Sequence, residues 1–179
     1  MKRKILVFDP YLCTGCMYCM TACSTHHEGC TSFSSARLQI IRHEGHAITR
    51  MEEEDELIFS LNICQQCDEP ICANVCPTGS IKRDPLTAAM IIDPERCVGC
   101  RTCLMACYFG AISYSEKKKQ VFKCDLCGGD PRCVRFCQPK ALTFVPIEQA
   151  PMRNRMKAFQ KMEDSYGYPL GIRRKDALD

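Results

Sequence analysis

Four runs of four cysteines constrain this chain more than any other feature. They are Cys13, Cys16, Cys19 and Cys23; Cys64, Cys67, Cys72 and Cys76; Cys97, Cys100, Cys103 and Cys107; and Cys124, Cys127, Cys133 and Cys137. The first and third share the spacing C-x2-C-x2-C-x3-C. The second and fourth widen the middle gap, to four and five residues, and place Pro70 and Pro131 ahead of the third cysteine. Three thiolates spaced this closely can hold three corners of one iron–sulfur cube. The fourth is then aimed away, toward the other cluster of a pair.

Composition tests that reading against two rivals. Seventeen cysteines in 179 residues are far above ordinary usage. A disulfide scaffold needs an oxidising compartment, and the start MKRKILVFDPYLC reaches its first cysteine too soon for a secretory signal. A zinc-binding structural module uses isolated C-x2-C pairs or adds His, not runs of four at these spacings. Aromatic residues make up 8% of the chain and Trp is absent, so the organic core is expected to be thin. No apolar run approaches the roughly eighteen residues of a membrane span, and a cytoplasmic location is expected. The formal charge of +3 is no argument for nucleic acid. Four oxidised clusters, each about −2 with its thiolates, would bring it to roughly −5.

The runs alternate in type, and their flanks repeat. DPYLCTGCMYCMTAC at 9–23 matches DPERCVGCRTCLMAC at 93–107 at Asp-Pro, at Gly15 and Gly99, and at Ala22 and Ala106. Glycine between the first two cysteines is expected because the loop must wrap a cluster closely, where a Cβ would crowd it. The chain therefore reads as a duplicated two-run unit with capacity for four [4Fe-4S] clusters. Apolar strand-like segments precede the narrow runs. The insert between the first two runs holds a hairpin, expected from ARLQIIR (36–42) and AITR (47–50), an acidic run at 51–56 and a strand at 57–61. Beyond 146 the cysteines stop. Met152, Met156 and Phe159 share one helical face, which suits either the chain's own body or a partner.

Some residues stand outside the runs. Cys30 is expected to be a buried small side chain, with a metal site built with His26, His27 and Glu28 as the sharper alternative. His43 and His46 are expected at the surface. Tyr18, Tyr108 and Phe136 lie in or beside the runs and are expected to shield clusters from water. No dinucleotide loop, phosphate loop or nucleophile triad is recognisable. No residue is assigned a catalytic role.

The four runs, in this order and over about residues 5–145, resemble the four-cluster ferredoxin-type electron-transfer subunits of redox complexes. These partner molybdenum and tungsten enzymes, hydrogenases and carbon monoxide dehydrogenases. CMTACSTHHEG followed by FSSARLQIIRHEG looks most like subunits that accompany tungsten enzymes of the aldehyde:ferredoxin oxidoreductase type, which include tungsten benzoyl-CoA reductases. The resemblance implies an α+β fold. Two bacterial-ferredoxin-like (βαβ-βαβ) folds would be related by pseudo-twofold symmetry, with a β-hairpin insert and an extended C-terminal arm. The outer domain would be 1–30 plus 115–145, the inner 57–114, the insert 31–56 and the arm 146–179.

The resemblance also implies which cysteines share a cluster. Cys13, Cys16 and Cys19 would take Cys137, and Cys64, Cys67 and Cys72 would take Cys107. Cys97, Cys100 and Cys103 would take Cys76, and Cys124, Cys127 and Cys133 would take Cys23. Spacing alone equally permits runs one with two and three with four. The nesting suggests the inner pair as the middle of a relay and the outer pair as its ends. The implied role is a non-catalytic relay of single electrons between a catalytic subunit and an external carrier; a free-standing polyferredoxin is the alternative. Only Cys76 is followed directly by Pro; Ser24, Tyr108 and Gln138 stand at the other three places, which leaves the loop geometry there open.

The spare cysteine gives a test. Cys30→Ser should leave iron and acid-labile sulfide per chain unchanged in anoxically purified protein. Loss of a quarter of the iron would make Cys30 a ligand.

Overall fold

A computed structural model of the chain describes residues 3–43 and 58–150. The segment at 47–50, His46, the acidic run and the Met152–Phe159 face lie outside the described residues. The fold is α+β, built from short helices and two-stranded antiparallel pairs.

The element order is the same in both halves of the chain. The first half runs β1 (Lys4–Phe8), α1 (Tyr18–Glu28), β2 (Leu38–His43), β3 (Ile58–Ile63), α2 (Ile71–Asn74) and β4 (Ile81–Arg83). The second runs β5 (Met90–Ile92), α3 (Thr102–Ala106), β6 (Ile112–Ser115), β7 (Gln120–Lys123), α4 (Arg132–Arg135) and β8 (Leu142–Pro146). Within each half the two middle strands form a hairpin, β2 with β3 and β6 with β7. Across the halves the pairing is reciprocal. The last strand of the first half, β4, pairs with the first of the second, β5, and β8 returns to pair with β1 from Phe8↔Leu142 to Lys4↔Pro146. Asp9 N–H donates to the Ala141 carbonyl and Asp93 N–H to the Ser80 carbonyl, both at 2.8 Å.

Among the described residues the strand partner of β2 is Ile58–Ile63. Its inward residues Leu38 and Ile40 and the facing Phe59 and Ile63 are buried together, and that apolar match sets the register.

Two apolar clusters form the interior, and cysteines are part of both. One gathers Met20, Leu38, Phe59, Leu126 and Leu142 with Cys19, Cys23, Cys124, Cys133 and Cys137. The other gathers Ile81, Met90, Ile112 and Val121 with Cys103, and Cys72, Cys76, Cys97 and Cys107 pack against it. Helices cross between halves accordingly: α1 contacts α4, and α2 contacts α3.

The cysteine loops carry the duplication in their backbones. In the narrow runs Gly15 and Met17 have φ of 65° and 60°, and Gly99 and Arg101 have 69° and 63°. In the wide runs the residue before the second cysteine is left-handed, Gln66 at φ 53° and Leu126 at 58°. Proline caps the following short helix, Pro70 for α2 and Pro131 for α4. After the fourth cysteine, three runs close the same turn. Gly79, Gly110 and Lys140 donate N–H groups to the carbonyls of Cys76, Cys107 and Cys137 at 3.1–3.2 Å. The missing prolines at Tyr108 and Gln138 therefore leave the loop unchanged. Only at Ser24 does the chain differ, because α1 continues to Glu28.

Glycine in the narrow runs is required by the protein's own packing as well. A Cβ on Gly15 would lie 2.3 Å from the Phe59 ring, and one on Gly99 would lie 2.2 Å from the Lys119 carbonyl oxygen. The hairpins of the fold exclude a side chain at both positions. Alanine at either site also meets the left-handed penalty of roughly 1–2 kcal/mol. A phenyl ring can shift and a backbone carbonyl in a hairpin cannot. Gly99→Ala should therefore cost more than Gly15→Ala, about 3 kcal/mol or more. Anoxic denaturant titrations followed by visible absorbance would show it; equal midpoints for the two variants would contradict it.

Candidate metal centre

The backbone turns bring thiols from different runs together. Cys13, Cys16, Cys19 and Cys137 line one small cavity, walled by Phe8, Met17, Ile40 and Leu142. As bare thiols, burial pushes Cys19 up to about 12, and Cys137, Cys16 and Cys13 add to the shift. Burial also raises Cys13, with Cys16 and Cys137 adding to it against a backbone bond from Gly15. Cys13 and Cys19 therefore do not ionise here at neutral pH unless a cation replaces the lost hydration.

The same signature marks three further groups. Burial pushes Cys133 up strongly, and Cys124, Cys23 and Cys127 reinforce it. Burial raises Cys23 to about 11, opposed by the Arg37 N–H and reinforced by Cys127. Burial raises Cys72, opposed by Lys123 and reinforced by Cys64 and Cys107. Burial raises Cys103 to about 11, reinforced by Cys76 and Cys100. Cys76 itself is brought down to about 6: burial works against that, but hydrogen bonds from Ser80 and Thr78 outweigh it.

Thiols of different groups also influence one another electrostatically. Cys133 feels Cys19, Cys124 feels Cys64, and Cys103 feels Cys72. The two wide runs meet directly: the Gln66 side-chain amide donates to the Cys124 carbonyl at 3.1 Å, and the Lys123 Nζ lies 3.4 Å from Cys64 Sγ. The second cysteines of the narrow runs, Cys16 and Cys100, are exposed.

This donor set fits iron–sulfur ligation. It is soft and thiol-rich, and backbone N–H groups point at sulfur. Arg37 N–H donates to Cys23 Sγ at 3.2 Å, Ser80 N–H to Cys76 at 3.3 Å and Leu142 N–H to Cys137 at 3.4 Å. Such bonds stabilise the more negative, reduced state of a bound cluster. The thiols remain unpaired as disulfides.

Several expectations about nearby residues change. Cys30 is exposed rather than buried. The candidate site near it is not built around Cys30: among the described residues the potential ligand atoms that converge are those of His26, His27 and Cys127. His27 Nε2 lies 3.7 Å from Cys127 Sγ and 3.5 Å from Asp125. Burial, with Arg37 adding to it, holds His27 down at about 4, so its ring is neutral. His43 is at the surface and bonds Ser60. Tyr108 is 83% exposed, and Tyr18 and Phe136 are more than half exposed, so in the isolated chain they do not seal the sites.

The sequence reading missed Lys123, Gln66 and Arg37. The alternation of β7, with Val121 and Lys123 both inward, was the available signal for the first. Gln66 stands where the second half has the apolar Leu126, a departure from the repeat that also could have been noticed.

The chain matches known proteins along its whole described length. A 4Fe-4S dicluster domain matches residues 55–147, and a 4Fe-4S binding domain matches residues 6–26. The NADH-dependent phenylglyoxylate dehydrogenase subunit beta of Aromatoleum evansii is 36% identical over 78% of this chain, which spans 30% of that protein. The putative electron transport protein YsaA of Escherichia coli is 32% identical over 87% of this chain and 97% of its own length. The aliphatic sulfonate oxidoreductase polyferredoxin-like subunit of Pyrococcus furiosus is 30% identical over 97% of this chain and 93% of its own. No helix among the described residues is long and apolar enough to cross a membrane. The chain belongs to the 4Fe-4S dicluster domain family, as an iron–sulfur electron-transfer subunit and not a catalyst in its own right.

Proposed function

We propose that the chain holds four [4Fe-4S] clusters in two ferredoxin-like units related by a pseudo-twofold axis, and passes single electrons along them in a line. The observation that carries this reading is the cavity that Cys13, Cys16 and Cys19 share with Cys137, a thiol from another run. On this reading each narrow or wide run contributes three cysteines to one group and its fourth to another. The groups are Cys13, Cys16, Cys19 with Cys137; Cys124, Cys127, Cys133 with Cys23; Cys64, Cys67, Cys72 with Cys107; and Cys97, Cys100, Cys103 with Cys76. Reciprocal β4–β5 and β8–β1 pairing supports the twofold relation.

The order of the line differs from the nesting in sequence. Electrostatic coupling of Cys19 with Cys133, Cys64 with Cys124, and Cys72 with Cys103 favours the order in which the groups are written above. The two wide runs then form the middle, and each narrow run forms an end. The expectation that the inner pair is the middle gives way to one end from each pair. This fits the exposure of Cys16 and Cys100, since an end must come near a donor or acceptor.

One-electron reduction is the chemistry that bound clusters supply. The protein contributes thiolate ligation, apolar insulation and N–H bonds to sulfur. A catalytic subunit is the partner at one end. Relatives named as subunits or chains of phenylglyoxylate dehydrogenase, aliphatic sulfonate oxidoreductase and dimethyl sulfoxide reductase support such an assembly. A tungsten or molybdenum centre in that partner rests on the resemblance of the segment after Cys19. The exposed Met105 and Tyr108 beside the Cys97 run offer an apolar face to it. Abundant free thiols suit a reducing compartment such as the cytoplasm.

The shared ligation is testable. Cys107→Ser should alter the low-temperature spin-resonance signal of the cluster held by Cys64, Cys67 and Cys72. The same signal should change in Cys64→Ser and stay intact in Cys97→Ser. A Cys107→Ser spectrum matching Cys97→Ser would overturn the grouping.

A further inference from the structure

Lys123 is the most unusual side chain of the described interior. It ends β7 at an inward position and is 3% exposed. Lysine is almost never buried this far unless its charge is compensated. Among the described residues its Nζ has three acceptors: the Met90 carbonyl, the Cys124 carbonyl at 2.8 Å and Cys64 Sγ at 3.4 Å. An ammonium has three N–H donors, so this set satisfies it in full. A neutral amine would donate only two.

Its position matters as much as its burial. Lys123 directly precedes Cys124 and reaches Cys64, so one cation lies against both wide runs. Burial raises Cys72 and Cys124 as bare thiols, and Lys123 acts against that rise at both. The duplication shows that the fold does not demand a lysine there. The corresponding residue before the first cysteine of the other wide run is Ile63, which is equally buried. The charge therefore breaks the equivalence of the halves at the point where the two middle groups meet.

We propose that Lys123 is a fixed buried cation that raises the reduction potential at the central sites, foremost the one held by Cys64, Cys67 and Cys72. This rests on the four-cluster reading above. A positive charge near sulfur in a low-dielectric surrounding favours the state with the extra electron. The middle of the line thereby becomes its electron store, and the two ends stay more reducing.

The test compares anoxically purified Lys123→Met, Lys123→Gln and Lys123→Arg with the native protein. Iron content and the presence of cluster spin-resonance signals in the native protein test the underlying reading by themselves. Potentiometric titration of those signals tests the role of Lys123. In Lys123→Met at least one cluster should lose tenfold or more in its reduction equilibrium, a downward shift of about 59 mV or more. Lys123→Gln keeps donors for the two carbonyls and should show the same shift. Lys123→Arg should keep most of the native potential. Unchanged midpoints in iron-replete Met and Gln variants would overturn the proposal. So would failure of both neutral variants to load iron, which would make Lys123 a folding residue.

Discussion

Everything in this fold depends on one constraint: buried thiols that face one another cannot all be ionised without a cation between them. Cys19, Cys23, Cys103, Cys124, Cys133 and Cys137 are buried, and several lie in the main apolar cluster beside Leu126 and Leu142. As bare thiols Cys19, Cys23, Cys103, Cys124 and Cys133 are pushed far above neutrality, by burial first and by neighbouring thiols. Iron resolves the conflict, since a thiolate bound to it needs no water. The same ligation supplies cohesion that the organic core lacks, with 8% aromatic residues and no Trp. Metal binding and folding are then one process.

That coupling explains the reciprocal topology. A cavity that holds Cys13, Cys16 and Cys19 together with Cys137 ties two distant segments together. The strands repeat the tie in backbone hydrogen bonds, with β8 closing onto β1 and β4 onto β5. The tightest loops then pack against hairpins from the rest of the fold, Gly15 under Phe59 and Gly99 under Lys119. Ligation, strand pairing and loop packing all constrain the same few residues.

The sequence made the metal chemistry legible because cubane ligation needs several thiols at fixed short spacings. The duplication was legible too, because Asp-Pro, Gly and Ala recur at matching places around the runs. The pairing of β2 with β3 was not, since the spacing of apolar residues does not say which strands meet, and burial of Phe59 and Ile63 against Leu38 and Ile40 sets it. Cys30 and Tyr108 misled for a related reason: apolar character predicts burial, but both sit at the surface of the isolated chain. The contact of Gln66 and Lys123 with the opposite wide run was not legible either, because a single polar residue at an apolar repeat position gives no hint of its partner. The turn after the fourth cysteine was invisible as a repeat because Pro77, Tyr108 and Gln138 share no side-chain feature, while the closing hydrogen bond belongs to the backbone.

Native mass spectrometry of the anoxically purified chain addresses the central claim most directly. The predicted spectrum is dominated by a single species carrying the mass of four [4Fe-4S] clusters, with cluster loss accompanied by unfolding of the charge-state envelope. A folded species holding two clusters, or zinc in place of iron, would contradict the account.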